Sequence, residues 1–110
     1  MDFPLMVARF AEAMVALDSE AASNMFTEDG VYIDGFHGSF RGRPAIKGMI
    51  DDHFAGAGRD YQWQMFEPVL SDNIGYARYL FSYTSTLPEA EGKRVIFEGM
   101  SRFVVKDEKF

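Results

Sequence analysis

Asp34 ends a short strand-like run, Gly30-Val31-Tyr32-Ile33-Asp34, and His37 follows three residues later. A carboxylate and an imidazole are the side chains that most readily exchange protons near neutral pH. Alternation along a strand puts Tyr32 and Asp34 on one face and Val31 and Ile33 on the other. If that face looks into an apolar pocket, the carboxylate can shuttle a proton beside a carbonyl. The local alternative is that Asp34 and Gly35 form a turn, with the side chain accepting from a nearby amide. Tyr32 can donate to a substrate oxygen or to Asp34, or serve as a half-buried core tyrosine. His37 is either the partner in proton transfer or a solvated loop histidine. His53 either looks into the same pocket or answers a helix C-terminus electrostatically. Two histidines near carboxylates raise the question of a metal, but no His-x-x-x-His or similar spacing is present and no metal is expected.

These side chains must be positioned by the elements around them. Phe3, Met6, Val7, Phe10, Met14 and Leu17 recur at helical spacing and predict a helix over Phe3–Leu17, with Pro4 in its first turn. Asp18 or Ser19 caps a second helix running to Phe26, and Gly30 in "TEDG" stops it. "VYIDGF" is a strand and "HGSFRGR" a turn-rich segment. Pro44 opens a third helix, "PAIKGMIDDHFAG", on an apolar stripe of Ile46, Met49, Ile50 and Phe54. Three strand-like runs follow, "DYQWQMFEPVLS", "NIGYARYLFSYTSTL" and "KRVIFEGMSRFVVK", separated by the turns "SDN" and "PEAEG". Helices followed by a meander predict an α+β domain with the helices on one face of a curved antiparallel sheet. On the last run Val95, Phe97, Gly99, Ser101 and Phe103 share the small, apolar face of a pocket wall. Arg94, Ile96, Glu98, Met100 and Arg102 share the other face. "KDEKF" reads as a hairpin turn and the first residue of a further strand, so a final strand is expected to be missing.

The 110 residues predict a single domain, and a chain of this size buries roughly two thirds of its unfolded surface. Sixteen of them are Phe or Tyr, 11 and 5 respectively, which suits either an apolar cavity or a plain core. A net charge of -6, with basic residues scattered, argues against nucleic acid. The absence of cysteine excludes disulfides and thiol catalysis and is most simply read as cytoplasmic. Neither a leader nor an apolar run of about 20 residues is visible, so no membrane partner is expected.

The stretch "MFTEDGVYIDGFHGSFRGRPAIKGMI" and the order helix, helix, strand, helix, meander resemble the SnoaL-like branch of the nuclear transport factor 2-like superfamily. The resemblance implies a cone-shaped α+β barrel with a pocket between sheet and helices, and no cofactor. It is similar to a group that includes ketosteroid isomerases, polyketide cyclases, dehydratases, epoxide hydrolases and non-catalytic binding modules. Asp34 falls on the position of the isomerases' catalytic aspartate. Their two oxyanion donors, a tyrosine and a protonated aspartic acid, are replaced by Phe10 and Gly99. One such donor is worth about 3 kcal/mol in the transition state, so true steroid isomerisation is not expected. The epoxide hydrolase set of Asp, Arg and Asp is not reproduced around Arg78, whose neighbours two residues away are Tyr76 and Leu80. Arg78 is expected to face outward or to pair with Glu67.

The candidate catalytic residues are thus Asp34, Tyr32 and His37. The candidate pocket residues are Phe10, Met14, His53, Trp63, Phe97, Gly99 and Ser101. The expected activity is Asp-based proton transfer on a small hydrophobic substrate, of isomerase, dehydratase or cyclase class. The alternative is a ligand-binding or dimerisation module. A small oxygenase subunit ranks third, because such chains are longer. The apolar groups on the outer sheet face predict a homodimer.

Overall fold

The computed structural model describes residues 1–110. The first helix, α1 (Phe3–Val15), is capped by Asp2, whose side chain accepts from Leu5 N at 3.1 Å. Its buried face consists of Phe3, Val7, Phe10, Ala11 and Met14. The helix ends because Leu17 takes a left-handed φ of 57°, which redirects the chain. Asp18 then caps α2 (Ser19–Asn24) through Ala21 N at 3.1 Å. This helix stops short of Met25 and Phe26, so the sequence prediction overran it.

β1 (Val31–Asp34) pairs antiparallel with β2 (Gly38–Arg41), from Val31 opposite Arg41 to Asp34 opposite Gly38. The segment expected to be all turn therefore contains a strand. The Asp34 turn returns the chain against β1, and backbone pairing overrides the weak strand preference of Gly38 and Ser39. After Gly42, at a φ of 85°, α3 (Arg43–Met49) begins. Arg43 Nε donates to the Phe26 carbonyl at 2.9 Å, tying the start of α3 to the end of α2. The expected continuous third helix widens into a π-helical turn over Ile50–Phe54.

The meander follows as β3 (Gly58–Ser71), β4 (Ile74–Ser85) and β5 (Arg94–Val104), in the order β3-β4-β5. A 3-10 turn, Pro88–Ala90, lies between β4 and β5. The ladder between β3 and β4 slips between Arg59 and Gln62 and again between Phe66 and Val69. Asp60 and Glu67, at φ 54° and 53°, sit in these slips as bulge residues. Pro68 is accommodated in the second slip, where no ladder donor is required. Two bulges in one long strand bend the sheet around the helices and make the concave side of the cone.

The core has two parts. Phe10, Met14, Ala22, Phe26, Ile46, Met49 and Ile50 join the helices to one another. Phe3, Val7, Ala77, Phe103 and Val105 join α1 to the meander. Gly75 belongs to the second part for a steric reason: a Cβ there would stand 2.3 Å from the Phe3 ring. Beyond β5 a turn at Asp107 and Glu108 carries the chain back. Phe110 N then donates to Met25 O at 3.0 Å, and Phe110 O accepts from Thr27 N at 2.8 Å. The Phe110 ring packs on Phe10, Phe26 and Phe103. β1 pairs only with β2 and β5 only with β4, so one long edge of each strand is unpaired.

Candidate functional site

Asp34 sits where β1 ends and is the residue around which the turn is built. Its Oδ1 accepts from Phe36 N at 2.7 Å and from His37 N at 3.1 Å. The same oxygen lies 3.5 Å from His37 Nδ1. The turn reading of Asp34 is therefore structurally realised, and the turn itself brings the imidazole to the carboxylate. All three of these partners fall on Oδ1. The Asp34 side chain is 20% exposed and that of His37 39%, so the pair stands at a mouth open to water.

His53 comes to the same place from the π-helical turn. Its ring stacks on His37 with centroids 5.3 Å apart and planes 22° apart, and Phe40 lies 6.2 Å away. Asp34, His37 and His53 thus form a row although they arrive from two elements. No group of three or more acidic or histidine side chains is placed to hold a metal ion.

Tyr32 points inward beside Asp34, as alternation requires. Burial, followed by the neighbouring Asp34 carboxylate and Tyr79 hydroxyl, pushes its phenol well above the ordinary tyrosine value. Its ring lies 6.3 Å from Phe10 and 6.3 Å from Phe26.

The residues expected to line a pocket divide into two groups. Phe10 and Met14, 4% and 0% exposed, are in the closed helical core and form the floor of the cone rather than an open wall. Trp63, Phe97, Gly99 and Ser101 lie on the concave face of the meander. Trp63 meets Phe10 edge-on at 5.6 Å, and its Nε1 is buried with no hydrogen-bond partner. Gly99 lies opposite Tyr79, and Ser101 opposite Ala77. Phe97 packs against Phe81 and Tyr83 and, at 5.2 Å, against Phe36 from the Asp34 turn.

Several site residues were not among those expected. Phe54, Tyr61, Tyr79, Phe81 and Tyr83 pave the concave face with rings. Phe54 and Tyr61 stack at 4.7 Å, and Trp63 and Phe81 meet at 5.2 Å. The Tyr61 hydroxyl donates to the Phe54 carbonyl, joining β3 to the π-helical turn. Alternation in "YARYLFSY" was the available signal, since it places Ala77, Tyr79, Phe81 and Tyr83 on one side. Arg78 lies on the opposite, convex side, 4.5 Å over the Phe66 ring and 3.8 Å from Glu67. Two shallow clefts elsewhere run along α1 beside Met6, Arg9 and Glu108 and contain neither Asp34 nor a histidine.

The profile of the family described as SnoaL-like domain matches residues 7–110. No curated protein matches the sequence. Solved structures share the fold at low identity. One is a hypothetical protein with a ketosteroid isomerase-like fold from Catenulispora acidiphila, in complex with trimethylamine. It is 16% identical with a TM-score of 0.84, over 98% of this chain and 81% of that one. A ketosteroid isomerase-like protein from Erwinia carotovora is 17% identical with a TM-score of 0.74, over 97% and 84%. An LEH-like epoxide hydrolase from M. tuberculosis is 15% identical with a TM-score of 0.75, over 94% and 73%. At these identities the likeness establishes the α+β cone and no activity.

Proposed function

The chain belongs to the SnoaL-like domain family, and from that membership we propose that it takes a small hydrophobic molecule at the cone and moves a proton on it with Asp34. The observation that carries this reading is the asymmetry of the carboxylate. Oδ1 is committed to two amides and faces His37, while Oδ2 takes none of those contacts. One oxygen anchors the group, leaving the other to accept a proton from a carbon beside a carbonyl. Return of that proton at a different carbon makes an isomerisation. Departure of a β-hydroxyl as water, with the proton delivered to it, makes a dehydration. His37 is half-exposed and stacked on His53, which suits passage of a proton between Asp34 and solvent. Relatives described as ketosteroid isomerase-like and as an epoxide hydrolase use the same fold, and a trimethylamine-bound relative supports small-molecule occupancy. Epoxide opening by an Asp-Arg-Asp set is disfavoured because Arg78 faces away from the cone.

The test is deuterium uptake at carbons beside the carbonyl of small apolar ketones, followed by NMR for the wild type and Asp34→Asn. General-base catalysis predicts a loss of about a hundredfold or more in the variant. Equal uptake by the two proteins overturns the proposal.

A second reading, a non-catalytic binding or association module, is favoured by the backbone capping of Asp34 and by the rings that crowd the cone. Ketone binding without deuterium uptake by either protein would select it. The proposed protein partner is a second copy of this chain, seated on the convex face where Tyr76, Ile96 and Met100 are exposed. A cytoplasmic setting completes the reading, and no helix is long and apolar enough to cross a membrane.

A further inference from the structure

We propose that the cone recognises its ligand through a neutral acceptor oxygen, held by the Tyr79 hydroxyl and the Trp63 indole N–H. The inference rests on the cone being a ligand site and adds what the ligand must carry. Trp63 Nε1 is closed off from solvent and donates to nothing in the chain. A buried donor without a partner is costly to fold around, and the group is unusual enough in a native structure to need a reason. The indole nitrogen only donates, so whatever satisfies it must accept.

Tyr79 supplies the second donor. A Cβ at position 99 would stand 2.5 Å from its Oη and 2.6 Å from its Cζ, so the end of the phenol occupies the space that any side chain at 99 would fill. Gly99 is therefore a steric requirement for the placement of this hydroxyl. Tyr61 is the one tyrosine whose hydroxyl donates within the chain, which leaves Tyr79 free to donate elsewhere. The Trp63 and Tyr79 rings meet at 6.3 Å and 61°, and Trp63 rests on Phe10, which also supports Tyr32. Tyr79 and Asp34 both lie within electrostatic reach of the Tyr32 phenol. The carboxylate decides the charge of the guest. An anionic oxygen among these rings, with the Asp34 carboxylate at the mouth, would be repelled and poorly solvated, whereas a ketone or ether oxygen accepts without that penalty. The surrounding rings of Phe54, Phe81 and Phe97 suit an apolar remainder.

Trp63 is the only tryptophan, so its indole N–H gives a single assignable signal in nitrogen-15 NMR. Titration with cyclohexanone is expected to move that signal downfield to saturation, and methylcyclohexane, of similar size, to leave it in place. Tyr79→Phe, which removes the hydroxyl and keeps the ring, is expected to weaken cyclohexanone binding roughly three- to tenfold, and Gly99→Ala, by displacing the ring, is expected to weaken it at least as much. Equal shifts with ketone and hydrocarbon, no shift with the ketone, or a response to tetramethylammonium alone would overturn the proposal. The outcome separates from that for Asp34. A ketone-dependent shift without deuterium uptake leaves this inference standing and removes proton transfer, and uptake with an unmoved indole signal does the reverse.

Discussion

Asp34 illustrates how one side chain can satisfy two descriptions. Capping the β1–β2 turn is a structural task, yet two amide bonds to Oδ1 also restrict where the carboxylate can point, and a catalytic group needs to be held to within about 0.5 Å. Tyr32 makes a different statement about the same spot, because burial first, and then the neighbouring Asp34 and Tyr79, raise its phenol. The folded chain holds the phenolic proton more tightly than the unfolded chain does. The stabilisation that results is fully present below the unfolded value of about 10 and is lost as pH rises above it. Thermal melts followed by circular dichroism from pH 8 to 11.5 are expected to show the wild type losing stability above about pH 10. Tyr32→Phe is expected to lose less over the same range, with the remaining loss carried partly by Tyr61, which burial also raises. Identical pH profiles for the two proteins would mean that Tyr32 is not closed off as described.

Among the elements, β3 does most to shape the cone, and it does so through two residues with unfavourable backbone angles. Glu67 is held at φ 53°, a conformation that costs a residue with a side chain roughly 1–2 kcal/mol relative to glycine. Its ion pair with Arg78 is exposed and worth at most about 1 kcal/mol. Urea unfolding should therefore find Glu67→Gly neutral or stabilising by up to about 1 kcal/mol. Glu67→Val should be destabilising by about 1–2 kcal/mol, since β-branching disfavours that φ further. A stabilised valine variant would contradict the bulge. The same strand marks the limit of what the sequence makes legible. Strict alternation in Tyr61, Trp63 and Met65 announces a strand, and Pro68 announces its interruption, but nothing in "RDYQ" announces the slip at Asp60. β2 escapes detection because Gly38 and Ser39 pair only once Asp34 has turned the chain. The π-helical turn is equally silent, since the stripe of Ile46, Met49, Ile50 and Phe54 fits an ordinary helix. The consequence for the site is direct: the Asp34–Tyr32 face follows from alternation alone, whereas the His37–His53 stack depends on the two irregular elements.

At the level of the molecule, the concave face is occupied by rings and helices, and the convex face is left with apolar groups among charges. Ile96 is 63% exposed and Met100 65%, on a strand whose other face is inside. Light scattering after gel filtration at micromolar concentration is expected to give twice the chain mass of 12.5 kDa. Met100→Asp should return it to one chain, because a carboxylate in the centre of such a patch opposes burial. A monomeric wild type would remove the second copy from the proposed function. The unpaired edge of β5 also bears on shelf life. Roughly half of the backbone N–H and C=O groups of this 11-residue strand point away from β4 and form a template for edge-to-edge growth, and the net charge of -6 opposes such growth between dimers at low salt. At 1 M salt the screening length contracts to about 3 Å, so that protection fades at close approach. Concentrated stocks should accordingly show a shorter lag before thioflavin-positive fibrils form as sodium chloride is raised. A lag independent of salt would mean that the edge is guarded by shape and not by charge.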